Sequence, residues 1–474
     1  MSKLKHIFLL GLLFLGACTK LEELNINTNA PERVAPQFLL SNVLYQAANN
    51  NSFQGWHAGN LLAQHTANIE FLAVDRYNLG SNTPLWNSTY RLLNDLNTMV
   101  ELDQSNEAYR GIAMVMRANL AALLTDLWAD VPYFDAIRGI SDGNFTPAFD
   151  TQEMIYTAPD GILDLLERAA DLLSRTSDRV EGDIMYGGDL DQWVKFANSL
   201  RLRYLLRISS QTEVSNAMQA IVDAGAYIDS NADNALISYL SAAPNQWFIF
   251  TEREGRYTDV RMSSTIEAIF DRLDDPREAV YFKPTAASVA AGDPDFHGLP
   301  NGLSRESQNQ YNFNNISLLG RILRDEPNGV DALFLKASEV HFVLAEAAAR
   351  GLISGSANEH YEAGIRSSLE YYGITDADTY LAQAAVALDG NDDLEKILTQ
   401  KWIALFLNGY EAWLDIRRTG IPTVEISPDN LNQGLYPVRY TYPESEQAVN
   451  GINYQIAVDR IGGDDYNSKG WWEQ

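Results

Sequence analysis

From Phe38 onward, apolar residues recur every three or four positions, and a chain patterned in this way is restricted to packed helices. Ile112, Met116, Leu120, Leu123 and Leu127 follow the spacing, as do Ile162, Leu165, Leu166, Ala169, Leu172 and Leu173. Trp193, Phe196, Ala197, Leu200, Tyr204, Leu205 and Ile208 make a third stripe with Arg201, Arg203 and Arg207 set around it, and Leu333, Ala337, Val340, Leu344 and Ala347 make a fourth. Residues 394–416 are apolar on so much of their surface that burial on most sides is expected. Strand alternation is scarce and no glycine-rich strand-to-helix crossover appears, so the expected fold is mainly α. Long irregular segments separate the helices at 68–84, 129–147, 238–260, 281–327 and 421–472. Loops of that length inside a compact domain are uncommon unless they have a function. No break in composition divides the chain, and residues 37–474 read as a single helical domain with loops inserted between helical hairpins.

The first residues are of another kind. Lys3 and Lys5 precede an apolar run from Ile7 to Leu15, which Gly16-Ala17 closes directly before Cys18, the one cysteine of the sequence. A membrane-spanning helix needs roughly 20 apolar residues, so this shorter run reads as a signal peptide covering 1–17. Cysteine directly after a small-residue exit resembles the lipobox of bacterial lipoproteins, in which the sulfur is acylated. Acylation also accounts for a lone thiol in a secreted protein, where unpaired cysteines are a liability. Residues 18–36, rich in Asn and carrying Pro31 and Pro36, read as a flexible lipidated tether. Glu22 and Glu23 behind the cysteine resemble the tag that sends lipoproteins of the Bacteroidetes to the cell exterior.

The formal charge of −28 becomes −30 once Lys3 and Lys5 leave with the signal. Nucleic acid is therefore not an expected partner, since phosphate binding draws on clustered Lys and Arg. The 9 Trp and 23 Tyr leave room for a stacking surface beyond what a core consumes, and sugar rings present flat C–H faces to such groups.

Several segments then carry a family resemblance. Lys401-Trp402-Ile403-Ala404-Leu405-Phe406, Asn408-Gly409-Tyr410-Glu411-Ala412-Trp413 and Asp415-Ile416-Arg417-Arg418-Thr419-Gly420 look like the C-terminal hallmark of SusD/RagB lipoproteins. Thr125-Asp126-Leu127-Trp128-Ala129-Asp130-Val131-Pro132-Tyr133 resembles that family's helix-exit segment, and residues 336–347, with Glu339 and Glu346, its Ala-Glu helix. The tail, with Tyr436-Pro437-Val438-Arg439, Gly462-Gly463-Asp464-Asp465 and Trp471-Trp472, is similar to the second SusD-like group. The resemblance implies a SusD-like fold of tetratricopeptide-like helix pairs with long loop insertions, no catalytic activity, and a place on the outer face of the outer membrane. It further implies capture of oligosaccharide, or in some members peptide, and delivery to a SusC-like TonB-dependent transporter. The motifs themselves read as architecture: Trp402 and Trp413 as core, Arg417 and Arg418 as partners of carboxylates or helix-end carbonyls, Gly420 as a left-handed helix stop.

Two other function classes are compatible with a secreted acidic chain. A glycan hydrolase needs two carboxylates across the scissile bond, but among 63 acidic residues such pairs arise by chance, and no His-Glu-x-x-His, Gly-x-Ser-x-Gly or P-loop is present. A helical-repeat scaffold binding peptide on its concave face is the other. Two loops are expected to hold ligand. In 77–86, where relatives carry ligand contacts, the candidates are Tyr77, Asn82 and Trp86; in 245–257 they are Trp247, Arg253, Arg256 and Tyr257, rings beside groups that bond hydroxyls in pairs. His297 and Asn301 are weaker candidates. No cofactor is called for, and no metal: Asp464-Asp465 and Asp293-Pro294-Asp295 lack the ordered spacing of a calcium loop.

Overall fold

The structure, a computed structural model, describes residues 34–252 and 254–474. Helix α1 (Pro36–Gln54) opens with proline in its first turn, where the missing N–H has no partner to lose. It is followed by α2 (Thr83–Leu102), α3 (Glu107–Trp128), α4 (Ile162–Arg175) and α5 (Leu190–Arg207). Side-chain oxygens supply the acceptors that the helix starts lack: Asn106 Oδ1 accepts the Tyr109 N–H at 3.0 Å, and Asp189 Oδ1 accepts from Asp191 at 3.0 Å. Each of these helices packs against the next, α1 on α2, α2 on α3, α3 on α4 and α4 on α5. Such nearest-neighbour stacking is what helix-pair repeats do with one apolar stripe per helix.

The remaining longer helices are α6 (Ser215–Ala224), α7 (Ser264–Leu273), α8 (Ala337–Ala349), α9 (Ala357–Tyr371), α10 (Asp393–Ala404), α11 (Glu411–Thr419) and α12 (Gly451–Ile461). Two small antiparallel sheets join distant segments. β1 (Thr66–Asn68) pairs with β3 (Val260–Met262), Thr66 facing Met262, and β2 (Ala235–Ser238) pairs with β4 (Asp331–Leu335), Ala235 facing Leu335. The burial expected of 394–416 holds, with every residue from 397 to 410 buried, but the segment is not one helix: Leu407 and Gly409 adopt positive φ and turn the chain between α10 and α11. The segment 421–472 is also less irregular than its composition suggests: residues Glu444–Val449 and α12 are helical. Val449, Ile452 and Ile456 point outward among polar residues, so apolar side chains fall on both faces and no clean amphipathic stripe marks these helices.

The motifs that carry the family resemblance form the core. α8 packs against α5, α9 and α10, and its residues from Ala337 to Ala347 are all buried, Glu339 and Glu346 included. Two buried acids demand cations. Arg203 gives Nε and Nη2 to Glu339 at 2.5 and 2.8 Å, and Arg418 reaches Glu346 through Nη1 and Nη2 at 2.5 and 2.6 Å. Burial pushes the Glu346 carboxyl up, but Arg418 outweighs it and holds the group below its usual range. Asp126 is met by Arg207, by the Tyr156 hydroxyl at 2.7 Å and by Trp472 Nε1 at 2.9 Å. Arg417 lies 4.8 and 4.7 Å from the ring centres of Trp413 and Trp472 while pairing with Glu473 at 2.7 Å. Trp402 and Trp413 are buried, and Gly420, at φ 73°, ends α11. The Asn408-Gly409 turn is seated against α1's continuation: a Cβ on Gly59 would stand 1.7 Å from the Gly409 carbonyl oxygen.

Candidate ligand cleft

α1 does not end cleanly at Gln54. Residues Gly55–Gly59 continue as a π-helical turn, a local widening that re-aims side chains and recurs at functional sites. It turns Trp56 inward, where it is buried, and leaves His57 half-buried at the cleft wall beside Phe53, their ring centres 4.2 Å apart. A short helix, Phe248–Thr251, brings Phe248 across from the other side. Its ring stacks on His57 at 6.1 Å with an interplanar angle of 24°, lies 5.8 Å from Phe53, and rests on buried Trp247 at 4.3 Å. Phe71, with φ 52° in the loop after β1, is 80% exposed, and Phe53 is 42% exposed. Rings this open have no core to serve. With Asn68, Arg256, Asp259 and Val260 they line a cleft of about 300 Å³ over the β1–β3 pair.

Polar groups stand at fixed positions around these rings. Arg256, from the short helix Glu254–Thr258, donates Nη1 to His57 Nε2 at 3.1 Å and pairs through Nε with Glu252 at 2.9 Å. Burial, then the charge of Arg256, lowers the His57 pKa to about 4, so the ring is neutral at pH 7 and carries its proton on Nδ1. Asn68 Oδ1 is buried with no hydrogen-bond partner among the described residues, although the Asn68 backbone is bonded to Asp75 and Gln308. An orphaned buried acceptor beside open rings calls for a donor from outside. Burial, then Glu70, raises the Asp259 carboxyl above its usual range. Flat apolar faces, a planar cation and one unpaired amide acceptor suit a polyhydroxylated ligand.

Of the residues singled out from the sequence, Arg256 stands in this cleft and Arg253 and Cys18 lie outside the described residues. Tyr77 is buried edge-on to Tyr436 at 5.7 Å, its hydroxyl bonded by Gln64 at 3.2 Å and its pKa raised by burial to about 12. Trp86 is buried among Tyr90, Trp128 and Tyr442, at 5.1, 5.3 and 6.3 Å. Asn82 precedes α2 and spends its Nδ2 on Gln54 and Tyr410, each at 3.1 Å. The first loop is thus turned inward, and Tyr77, Asn82 and Trp86 already have protein partners. Trp247 donates Nε1 to the Leu323 carbonyl at 3.0 Å and supports Phe248 from beneath, while buried Tyr257 bonds the Leu319 carbonyl. His297 is exposed between Glu267 and Asp295, and Asn301 is buried, bonded to Thr66 and Asp75. Phe53, His57 and Phe71 are not among the sequence candidates, while Phe248 falls within the 245–257 loop expected to hold ligand; Phe71 carries a signal as a large ring in a stretch with no helical stripe to bury it.

A family model described as SusD-like, starch-binding and associating with outer membrane matches residues 28–443. The chain belongs to the SusD-like family. That family comprises outer-membrane-associated proteins that bind nutrient carbohydrate and are binding proteins, not enzymes. The structure is similar to a SusD homologue of Bacteroides fragilis NCTC 9343, 28% identical, with a TM-score of 0.83 over 93% of this chain and 100% of the other. It is similar also to a chitin-binding protein, 27% identical, with a TM-score of 0.80 over 93% and 99% of the two chains. A SusD homologue of Bacteroides uniformis ATCC 8492 gives 25% identity and a TM-score of 0.79 over 92% and 99%. None of the curated proteins is a significant match. The mainly helical fold expected from the periodicity is the fold of these relatives. No described helix is long and apolar enough to cross a membrane.

Proposed function

We propose that this protein is a cell-surface lipoprotein that captures oligosaccharide in the Phe53–His57–Phe71 cleft and passes it to a SusC-like TonB-dependent transporter. One observation carries the reading: open aromatic faces converge with Arg256 and the unpartnered Asn68 Oδ1 in a cleft on a SusD-like fold. Cys18 is acylated and holds the domain at the outer membrane through the 18–36 tether. The chain has no catalytic role. Glycoside hydrolysis takes two carboxylates facing one bond, and Asp259 is the one carboxylate among the described residues lining the cleft. The starch-binding description of the family and the chitin-binding relative point to neutral glucan or amino-sugar oligomers as first probes.

Titration calorimetry with malto- and chito-oligosaccharides tests the site. Phe71→Ala and Arg256→Ala are expected to weaken binding about tenfold each, roughly 1.4 kcal/mol, with unchanged melting because both side chains are exposed. Full affinity in both variants sinks the assignment. Cys18→Ala is expected to leave a folded, ligand-competent protein lost from the cell surface, and surface labelling at normal levels refutes the anchor.

A further inference from the structure

A second surface, made from none of the cleft residues, presents apolar side chains to water. On α12, Ile452 is 81% and Ile456 53% exposed; Val449, at the end of the preceding helix, is 67% exposed. Ile452 and Ile456, four apart, share one face of α12, and Val449 lies just before that helix, across the non-helical Asn450. Neighbouring positions face inward. Asn450 and Asn453 donate Nδ2 to the Pro147 carbonyl at 2.7 and 3.3 Å, and Asn453 also to Thr146 at 3.0 Å, while Ala457 is buried. Those bonds draw the 144–147 loop alongside this face, where Phe145 stands 70% exposed against Gly139. Four large apolar side chains therefore open to solvent on a backbone held by the Asn450 and Asn453 side-chain amides. β-Branched residues at exposed helix positions add nothing to helix stability, and contiguous apolar surface of this kind marks a contact site.

The charges around this face define what fits it. Exposed Asp459 continues the 452–456 line by one turn and exposed Glu444 lies at the start of the Glu444–Val449 helix; Asp142, three residues before Phe145, pairs with Arg138 at 4.0 Å, and Arg460 beside Asp459 is engaged by Asp130, so the uncompensated charge at the rim is acidic. A second copy of this chain would bring the same acids, and its net −28, against them. An anionic lipid surface is repelled on the same ground. We infer that the Phe145–Val449–Ile452–Ile456 face docks a partner protein that offers an apolar centre ringed by Lys and Arg. Burial of the four side chains supplies the contact, and the acidic rim selects and orients the partner. The inference is independent of which ligand the cleft takes.

The test places a photo-crosslinking residue at position 452 of the full chain in its native cells, with position 358, exposed on α9, as control. Adducts are sequenced by mass spectrometry. The expected product is one protein, joined through an apolar segment flanked by Lys or Arg, at a yield at least about tenfold above the control. Val449→Ser/Ile456→Ser and, separately, Glu444→Lys/Asp459→Lys each reduce that yield about tenfold, while melting temperature and oligosaccharide affinity stay at the unsubstituted values. Adducts with a second copy or with lipid, a yield equal to the control, or an adduct that persists in both double variants overturns the inference.

Discussion

Glu346→Ala gives the most direct test of how this fold is held. In the native chain the carboxylate is buried, takes two N–H groups of Arg418 at 2.5 and 2.6 Å, and pairs with Arg350 at 3.1 Å. Removing it leaves Arg418 buried with Asp415 as its remaining acid, and Asp415 is shared with Lys401 at 2.7 Å. Four charges that balanced in pairs, Glu346 and Asp415 against Arg418 and Lys401, become two cations on one carboxylate. Breaking a buried pair by deleting one partner costs about 3–5 kcal/mol. At about 2 °C per kcal/mol for a chain of this size, the melting temperature should fall by about 6–10 °C. Glu346→Gln keeps acceptor shape and part of the hydrogen bonding, so its loss should be smaller. The folded-state pKa of Glu346 is depressed, so its stabilisation is complete above the ordinary carboxylate range and fades as pH falls through the lower folded value. The gap between wild type and Glu346→Gln should therefore be constant from pH 8 to pH 5 and narrow in stronger acid. Differential scanning fluorimetry across that range measures both effects. A loss for Glu346→Ala below about 1 kcal/mol refutes the view that the Ala-Glu helix is an electrostatic core element.

Gly59→Ala forces a Cβ to within 1.7 Å of the Gly409 oxygen and should yield aggregated or strongly destabilised protein, read from soluble yield and melting. Trp86→Ala should cost about 3–5 kcal/mol, and any folded fraction should keep its oligosaccharide affinity because this ring faces the core. His57 and His65, lowered by burial to about 4 and about 3, take up protons more readily when unfolded, so each withdraws stability as pH falls from about 6.5 toward its folded value. Asp75 and Glu278, raised by burial to about 6 and 7, act in the opposite sense, so the histidine effect is measured as the change in unfolding midpoint between wild type and His57→Gln at pH 7 and pH 5.

The helical periodicity was sufficient to place α3, α4, α5 and α8, because each lies against other helices and must keep an apolar face. It was insufficient where the outside is apolar too. α12 carries Ile452 and Ile456 outward and Ala457 inward, so its stripe closes on itself and the segment reads as irregular. The ligand cleft was hidden for a related reason. Ring count identifies aromatic residues, but burial depends on which tertiary neighbour reaches them. Trp86 and Trp247 meet other aromatics and vanish from the surface, whereas Phe53 and Phe71 find none that cover them. Large rings in loops are therefore poor predictors of stacking surfaces in a chain with so many of them. Smaller rings next to a distorted helix end serve better: Phe53 closes α1 on its outer face, and the π-helical turn at Gly55–Gly59 that follows sets His57 beside it.

The same distortion links the architecture to the cleft. Gly59 meets the Gly409 carbonyl, and Gly55 approaches the Leu407 carbonyl, which a Cβ there would reach at 2.9 Å, so the hallmark turn after α10 sets the path of the π-helical residues. Asn60 Oδ1 accepts the Leu407 N–H at 3.0 Å and fixes the contact from the other side. The residues by which the family is recognised thus bear on ligand without touching it: the Asn408-Gly409 turn holds the widened helix end that turns Trp56 in and leaves His57 at the cleft wall. A substitution at Gly409 that preserves folding should then shift ligand affinity together with the His57 ring environment. Measuring affinity and the His57 imidazole NMR signals in one variant separates that coupling from simple destabilisation, which would lower folded population and leave the native His57 signals in place.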